Sequence, residues 1–224
     1  MDADIVVLIL SCKGQPWDSL AEGIRETWCK PVNGIATLFY YGGAAKPYLD
    51  GDRLFLSADE SEASMARRAI EAFAWVLGNF PNVRYVFRTN ESSYVRLDKL
   101  RELVQQFPPT RVYSGIIGKD CHGVRFASGA GYFLSKDLVK FLVDNLDKLD
   151  PAFADEVCIG EFLARQEVPI IPAPRLDIVS LEHLGRITRK DIEPHFHFRC
   201  KQEDNMFNAV KVFKRLHQLC EEDK

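Results

Sequence analysis

The sequence has no long apolar run, no paired-cysteine motif and no excess of charge of one sign. No stretch approaches the roughly 20 apolar residues of a membrane-spanning helix, and the first apolar run, residues 5–10, is too short for a signal-peptide core. The six cysteines are scattered without C-x-x-C spacing, which favours reduced thiols over a zinc site. A formal net charge of −3, with acids and bases interspersed, argues against a nucleic-acid partner.

The sequence does have enough apolar material for a real core, since 46% of its 224 residues are hydrophobic. Apolar strand-like runs alternate with segments of helical period in the first half, which predicts a mostly parallel sheet with ligands at the carboxyl ends of its strands. Strands are predicted at 4–10, 35–41, 83–87 and 111–117, with a short one within 49–56, and helices at 16–29, 62–80 and 97–107. The second half is more mixed, with a strand at 126–135 and helices following it, near 153–166 and at 203–220. One α/β domain is predicted.

A polar run follows one of these strands. Residues 88–93 read RTNESS and come directly after VRYVF at 83–87, where the topology predicts a ligand site. The run contains a single acid, Glu91, and no histidine or cysteine. These residues alone therefore do not define what the run would bind or which reaction it would catalyse.

A cluster of small residues lies in FASGAGYFLS at 126–135, where Ser128, Gly129, Ala130 and Gly131 precede bulky side chains. Small residues of this kind let backbone pass close to a ligand or to another segment of the chain. A tight turn that feeds a capped helix explains the same pattern.

Two further segments carry side chains suited to chemistry. ADEVCIGEFLARQ at 154–166 begins a helix with Asp155 and Glu156, which suit either the helix dipole or a general base at the mouth of a pocket. In HFHF, His195 and His197 would share a face of a strand, as metal ligands, phosphate donors or solvent-facing residues.

Taken in order, these segments resemble the Fringe and β-1,3-galactosyl/N-acetylglucosaminyltransferase family, glycosyltransferase family 31. IRETW at 24–28 is similar to the family's early Arg-x-Thr-Trp element, and Arg68 lies seven residues before Trp75, where the family often has lysine. The Gly-rich segment, DEVCIG at 155–160, and EVPII at 167–171 followed by HFHF resemble further family elements in the same order.

The resemblance implies one GT-A-like domain, with a nucleotide-sugar-binding half at 1–117 and an acceptor-binding half at 118–224. It implies inverting transfer of a hexose from a UDP-sugar to a hydroxyl of a saccharide or glycoconjugate acceptor. By position the catalytic base falls on Glu156, with Asp155 as the alternative. The residues implied in nucleotide-sugar binding are Arg25, Arg68, Arg88, Asn90, Glu91, Ser92, Ser128, Gly129, Ala130 and Gly131.

The sequence departs from the family at the metal site. Where relatives carry three aspartates it has Asn90, Glu91 and Ser92, so Mn²⁺ or Mg²⁺, held by Glu91 and His195, would bind more weakly. Three explanations are open: a metal-independent enzyme whose arginines or a histidine cover the diphosphate, weak metal binding assisted by substrate, or an inactive carbohydrate- or nucleotide-binding protein. A glycosidase with two separated acids is a further alternative.

The start of the chain bears on its location. Relatives in this family are mostly membrane-anchored enzymes of the secretory pathway, whereas here Met1 comes only a few residues before the first predicted strand. This favours a cytoplasmic protein of a microbe or virus over an excised catalytic domain.

Overall fold

The computed structural model describes residues 1–120, 123–149, 154–202 and 205–221. They form two compact units that interleave along the chain. The large-sheet unit comprises Met1–Cys12, Asn33–Asn90 and Phe107–Ala173, and the small-sheet unit comprises Lys13–Val32, Glu91–Gln106 and Pro174–Lys224. Cys121, residue 153 and residues 203–204, which enter the predictions above, lie outside the described residues.

The secondary structure alternates between strands and helices in the first half of the chain, as predicted. The strands are β1 (Ile5–Leu10), β2 (Ile35–Tyr41), β3 (Tyr48–Asp50), β4 (Arg53–Phe55), β5 (Tyr85–Asn90), β6 (Ser93–Val95), β7 (Tyr113–Lys119), β8 (Arg125–Ser135), β9 (Ile170–Pro172), β10 (Arg175–Asp177) and β11 (His197–Arg199). The α-helices are α1 (Trp17–Glu26), α2 (Met65–Asn79), α3 (Leu97–Val104), α4 (Lys136–Asp144), α5 (Asp155–Arg165), α6 (Leu181–Arg186), α7 (Arg189–Ile192) and α8 (Asn208–Glu221).

The large-sheet unit is built on an eight-stranded sheet in the order β3-β4-β2-β1-β5-β8-β7-β9. The pairs β1–β2, β1–β5, β2–β4 and β7–β9 are parallel, whereas β3–β4, β5–β8 and β7–β8 are antiparallel. Residues 5–9 of the central strand β1 are buried on both faces, which explains their unbroken apolar run. The predicted α/β class with a mostly parallel sheet is confirmed.

Strand β5 is longer than its apolar run. The sequence predicts that it ends at residue 87, but it continues to Asn90, because β1 pairs with it in parallel as far as Asn90 and β8 pairs antiparallel with it as far as Thr89. Two partner strands, both distant in sequence, therefore give strand conformation to polar residues that local pattern assigns to a loop. The extension carries Arg88 and Thr89 into the sheet beside the Gly-rich part of β8.

Helices α2, α4 and α5 pack against one another and the large sheet. Ile70, Phe73 and Val76 of α2 share one core cluster with Val6 and Leu8 of β1. Their spacing of three residues places them along one face of the helix. This packing fixes the two helices α2 and α5 that carry charged candidates of the site.

The small-sheet unit has three short strands in the order β10-β11-β6, with β10–β11 parallel and β11–β6 antiparallel. Helix α1 packs on α8, and Trp28, just after α1, donates a hydrogen bond from Nε1 to the carbonyl of Ser93 at 3.0 Å. The Trp of the IRETW element thus anchors the strand that follows the polar run. Among the described residues, no helix has the length and apolar character needed to cross a membrane.

Candidate active site

Arg88 and Asp155 form a buried ion pair near the carboxyl end of β5. Arg88 is 2% exposed and Asp155, the first residue of α5, is 0% exposed. Nη2 of Arg88 lies 2.8 Å from Oδ1 of Asp155, Nη1 donates to the carbonyl of Gly129, and Nε donates to the hydroxyl of Tyr40 at 3.1 Å. Every nitrogen of this guanidinium therefore has a protein partner, as a buried charge requires.

Two tyrosine hydroxyls complete this network. Tyr132 on β8 donates to Oδ2 of Asp155 at 3.1 Å, and its ring centroid lies 5.7 Å from the guanidinium carbon of Arg88. Burial raises the pKa of Tyr40 to about 12, although Arg88 opposes that rise, so the Tyr40 hydroxyl keeps its proton at neutral pH. The sequence did not identify either tyrosine, because a buried strand tyrosine with a hydrogen-bonded hydroxyl has the same pattern as an ordinary core aromatic residue.

The pKa of the Asp155 carboxyl group is raised above its ordinary value. Burial raises its pKa from 3.8, Arg88 lowers it, and the neighbouring Glu156 carboxylate raises it again, with a net value of about 7. Because Asp155 is fully buried and paired, its side chain is suited to holding the start of α5 in position.

Glu156 is the partly exposed member of the acid pair. A Cβ built on Gly129 would lie 2.6 Å from the carboxylate carbon of Glu156, so a glycine is needed for this carboxylate to lie against β8. One turn later in α5, a Cβ on Gly160 would lie 2.4 Å from Cβ of Phe126. The glycines of both sequence motifs therefore allow α5 to approach β8 and place Glu156 at the strand.

The other small residues of the Gly-rich motif lie on the same strand. Ala130 and Gly131 are buried, and Ser128 is half-buried. The side-chain Nδ2 of Asn90 lies 3.5 Å from the carbonyl of Gly129. The large-sheet unit thus brings these four predicted residues together around Gly129.

Arg68 is the second buried arginine of the large-sheet unit and lies in the first turn of α2. It is 2% exposed, and its Nε and Nη1 atoms form no hydrogen bond with any described residue. Arg68 thus differs from Arg88, each of whose three side-chain nitrogens has a hydrogen-bond partner.

The remaining predicted site residues lie in the small-sheet unit. Arg25 near the end of α1 and Ser92 are half-buried, and Glu91 is 2% exposed. His195 is half-buried, with Nδ1 3.0 Å from the carbonyl oxygen of Asp191.

The residues predicted as metal ligands do not fit a resident divalent ion. Among the residues that the structure describes, no three His, Cys, Asp or Glu side chains are grouped so that they could hold a metal. Hard divalent ions take mainly carboxylate and other oxygen ligands, and Glu91 is the single acid of the run 88–93. This donor set offers one carboxylate where the family has three aspartates.

The buried histidine of the HFHF segment is His197. It is 2% exposed on β11, and its Nε2 lies 3.0 Å from Oγ of Ser93. Burial lowers its pKa well below the ordinary value, with Arg175 and Arg199 contributing, so the ring is neutral. Strand β11 begins at His197, and therefore His195 does not share a strand face with it.

The chain is similar in sequence to two curated glycosyltransferases. The chain is 26% identical to the UDP-GlcNAc:betaGal beta-1,3-N-acetylglucosaminyltransferase 8 of Mus musculus and 24% identical to that of Homo sapiens, in each case over 71% of this chain. The matches cover 50% and 49% of those proteins, so the chain spans about half the length of the curated relatives it matches. No protein-family model matches the chain.

The fold is also shared with a solved structure. A crystal structure of a glycosyltransferase involved in the glycosylation of the major capsid of PBCV-1 superimposes with a TM-score of 0.58. The match has 10% sequence identity and covers 93% of this chain and 99% of that chain. These comparisons confirm the predicted glycosyltransferase-like fold and the resemblance to glycosyltransferase family 31.

Proposed function

We propose, from this relation to glycosyltransferase family 31, that the chain is a glycosyltransferase. It transfers a sugar from a UDP-sugar to a hydroxyl of a saccharide acceptor, with inversion at the anomeric carbon. The observation that carries the proposal is the carboxylate of the half-buried residue Glu156, held beside Gly129 at the start of a helix fixed by the buried Arg88–Asp155 pair. This position supports Glu156 as the base of the proposed reaction.

In the proposed reaction, Glu156 removes the proton of the acceptor hydroxyl as its oxygen attacks the anomeric carbon. One bond forms between that oxygen and the anomeric carbon, and the bond from the anomeric carbon to the diphosphate oxygen breaks. The proton stays on Glu156, and the electron pair leaves with the nucleoside diphosphate. Asp155 takes no part in proton transfer here, because its carboxyl is fully buried and paired with Arg88.

Arg88 has a positioning role in this proposal. Its three nitrogens are engaged by Tyr40, Gly129 and Asp155, so it ties β2, β8 and α5 to β5. A displacement of the base by about 1 Å is enough to slow such a reaction strongly. The ion pair therefore matters because it fixes where Glu156 lies.

The proposed reaction includes no step that depends on a metal. Mn²⁺ or Mg²⁺ would supply charge neutralisation at the diphosphate if bound. The donor set of the described residues does not fit such an ion. Added metal is therefore expected to be dispensable, which radiolabelled sugar transfer with manganese and with chelator would measure.

The proposal is tested by Glu156→Gln. We expect turnover to fall by at least about 100-fold while donor affinity stays nearly unchanged, because only the general base is lost. Glu161→Gln, on the same helix and ion-paired with Arg165, is the matched control and should turn over normally. Near-normal turnover of Glu156→Gln with a measurable donor would contradict the assignment.

A catalytically inactive carbohydrate- or nucleotide-binding protein is the second candidate. The neutral side chains of Asn90 and Ser92, at positions where the family has aspartate, favour it. Screening nucleotide sugars for binding and for transfer separates the two functions. UDP binding without transfer or hydrolysis of any donor would favour the binding protein.

A further inference from the structure

Arg68 is a buried cation that the described part of the protein leaves unpaired. Its Nε and Nη1 atoms are shielded from solvent and donate no hydrogen bond, and the residue as a whole is 2% exposed. A guanidinium is a cation with five N–H donors and no acceptor. Burial of an unpaired charge is strongly unfavourable, and such a group calls for a partner outside the protein.

Asp59, an acid on which Arg68 acts electrostatically, does not supply that partner. Arg68 influences the pKa of Asp59, which is lowered mainly by hydrogen bonds from Ser61, with smaller effects from Ser64 and Arg68. Asp59 is exposed and accepts a hydrogen bond from the Ser61 backbone at 2.8 Å, and no ion pair joins it to Arg68 among the described residues. Among the described residues, Asp59 therefore does not neutralise the guanidinium of Arg68.

The position of Arg68 in the fold suits an anion. It lies in the first turn of α2, a helix of 15 residues with no acidic side chain in that turn and no side-chain hydrogen bond from Ser64 to its backbone. The positive end of a helix dipole favours anions, and phosphate groups above all. Arg68 also acts electrostatically on Tyr40, near the carboxyl end of β2, where the sheet topology predicts ligand binding.

We propose that Arg68 binds the diphosphate of the nucleotide donor and neutralises part of its negative charge. This inference rests on the proposed function for the identity of the ligand, but the anion site itself rests on the unpaired, buried guanidinium. A diphosphate satisfies the donors of a guanidinium through paired hydrogen bonds, which a single water does not.

Calorimetric titration of the full chain in the presence of chelator tests the inference, with UDP, uridine and inorganic pyrophosphate as separate ligands. We expect Arg68→Met to weaken binding of UDP and pyrophosphate by about 10- to 100-fold, because charge-assisted hydrogen bonds are lost. Uridine, which has no phosphate, should bind both proteins alike. Arg68→Lys should retain part of the affinity, since it keeps the charge.

Arg67→Met is the matched control. Arg67 precedes Arg68 in α2, but its side chain is 66% exposed and lies 3.6 Å from Glu71, so its loss should leave UDP affinity within about twofold. Circular dichroism of each variant shows that it is folded. If Arg68→Met binds UDP and pyrophosphate as the parent does, or if the parent needs manganese to bind either of them, the inference is wrong.

The same titrations separate this inference from the proposed activity. Arg68-dependent binding of UDP or pyrophosphate by a protein that transfers no sugar would uphold the anion site and overturn the transferase. Sugar transfer that is unchanged in Arg68→Met would uphold the transferase and overturn the anion site. A parent protein that binds neither UDP nor pyrophosphate would overturn the anion site directly.

Discussion

Arg88 and Arg68 are both buried in the large-sheet unit, yet their surroundings are opposite. Arg88 lies on β5 and uses Nε, Nη1 and Nη2 to contact Tyr40, Gly129 and Asp155. Arg68 lies on α2, and two of its nitrogens have no partner among the described residues. The two arginines are therefore equally buried, but the described residues neutralise the charge of Arg88 and not that of Arg68.

The difference separates a structural role from a ligand-binding role. A cation whose donors are all used inside the protein contributes to stability, and its loss leaves a buried counter-ion unpaired. A cation whose donors are unused lowers stability in the free protein and contributes when an anion binds. Stability and ligand affinity should respond in opposite ways to removal of the two arginines.

The largest expected effect is on stability. At pH 8, where Asp155 is ionised, Arg88→Met should lower the free energy of unfolding by about 3 to 5 kcal/mol, because it leaves a buried carboxylate without its partner. Arg68→Met should leave that free energy unchanged or raise it, since no protein contact of Nε or Nη1 is lost. Urea denaturation of both variants and the parent measures the difference.

Arg67→Met provides the reference for an exposed arginine and should change the free energy of unfolding by less than about 1 kcal/mol. A destabilisation of Arg68→Met as large as that of Arg88→Met would remove the distinction between the two arginines.

A smaller effect is expected from a substitution of Gly129. Its carbonyl accepts a hydrogen bond from Arg88, and a Cβ added to it would lie 2.6 Å from the carboxylate carbon of Glu156. Gly129→Ala should move the Glu156 carboxylate, which is the flexible end of a side chain, with little loss of stability. Turnover should fall by about 10- to 100-fold, because the base is displaced. Single-turnover assays of sugar transfer measure this.

Gly78→Ala is its control, since a Cβ there meets nothing within 4 Å. That change should leave turnover intact and stabilise α2 by up to about 1 kcal/mol. Normal turnover in Gly129→Ala would show that the position of Glu156 against β8 does not matter for the reaction.

Much of the fold was predictable because it is encoded locally. The strand predicted at 35–41 has the bounds of β2, and helical periodicity identified α2 and α5 to within a few residues. Three-residue strands such as β9 and β10 are too short to show periodicity, and they exist only through their partners. The predicted division of ligand-binding halves at residue 117 remains a prediction.

The sequence predicted the site residues that belong to motifs. It did not predict the contacts that these residues make with distant parts of the chain. The pairing of Gly129 with Glu156 joins two segments that sequence pattern identified separately. The sequence did not distinguish Arg88 from Arg68 as ligands of a diphosphate, because the number of hydrogen bonds that each guanidinium makes depends on the tertiary structure. The sequence did not identify Tyr132 either, because its hydrogen bond to Asp155 also depends on the tertiary structure.

The smallest effect concerns Tyr132, which donates to Oδ2 of Asp155 and favours its ionised form. Burial, the main cause, raises the pKa of Asp155 from 3.8 to about 7, so the stability contributed by its protonated form is present below pH 3.8 and is lost as the pH rises through 7. Tyr132 opposes that loss, and Tyr132→Phe should therefore lower the free energy of unfolding more at pH 8, by about 1.5 kcal/mol, than at pH 5.

Urea denaturation at the two pH values measures this difference, and Tyr48→Phe, at an exposed tyrosine stacked on Phe55, should show none. Equal destabilisation of Tyr132→Phe at both pH values would mean that Asp155 does not change its charge between them. Arg88 would then be ion-paired with Asp155 at both pH values. The difference between Arg88 and Arg68, which is unpaired among the described residues, would be larger than a pKa of about 7 for Asp155 implies.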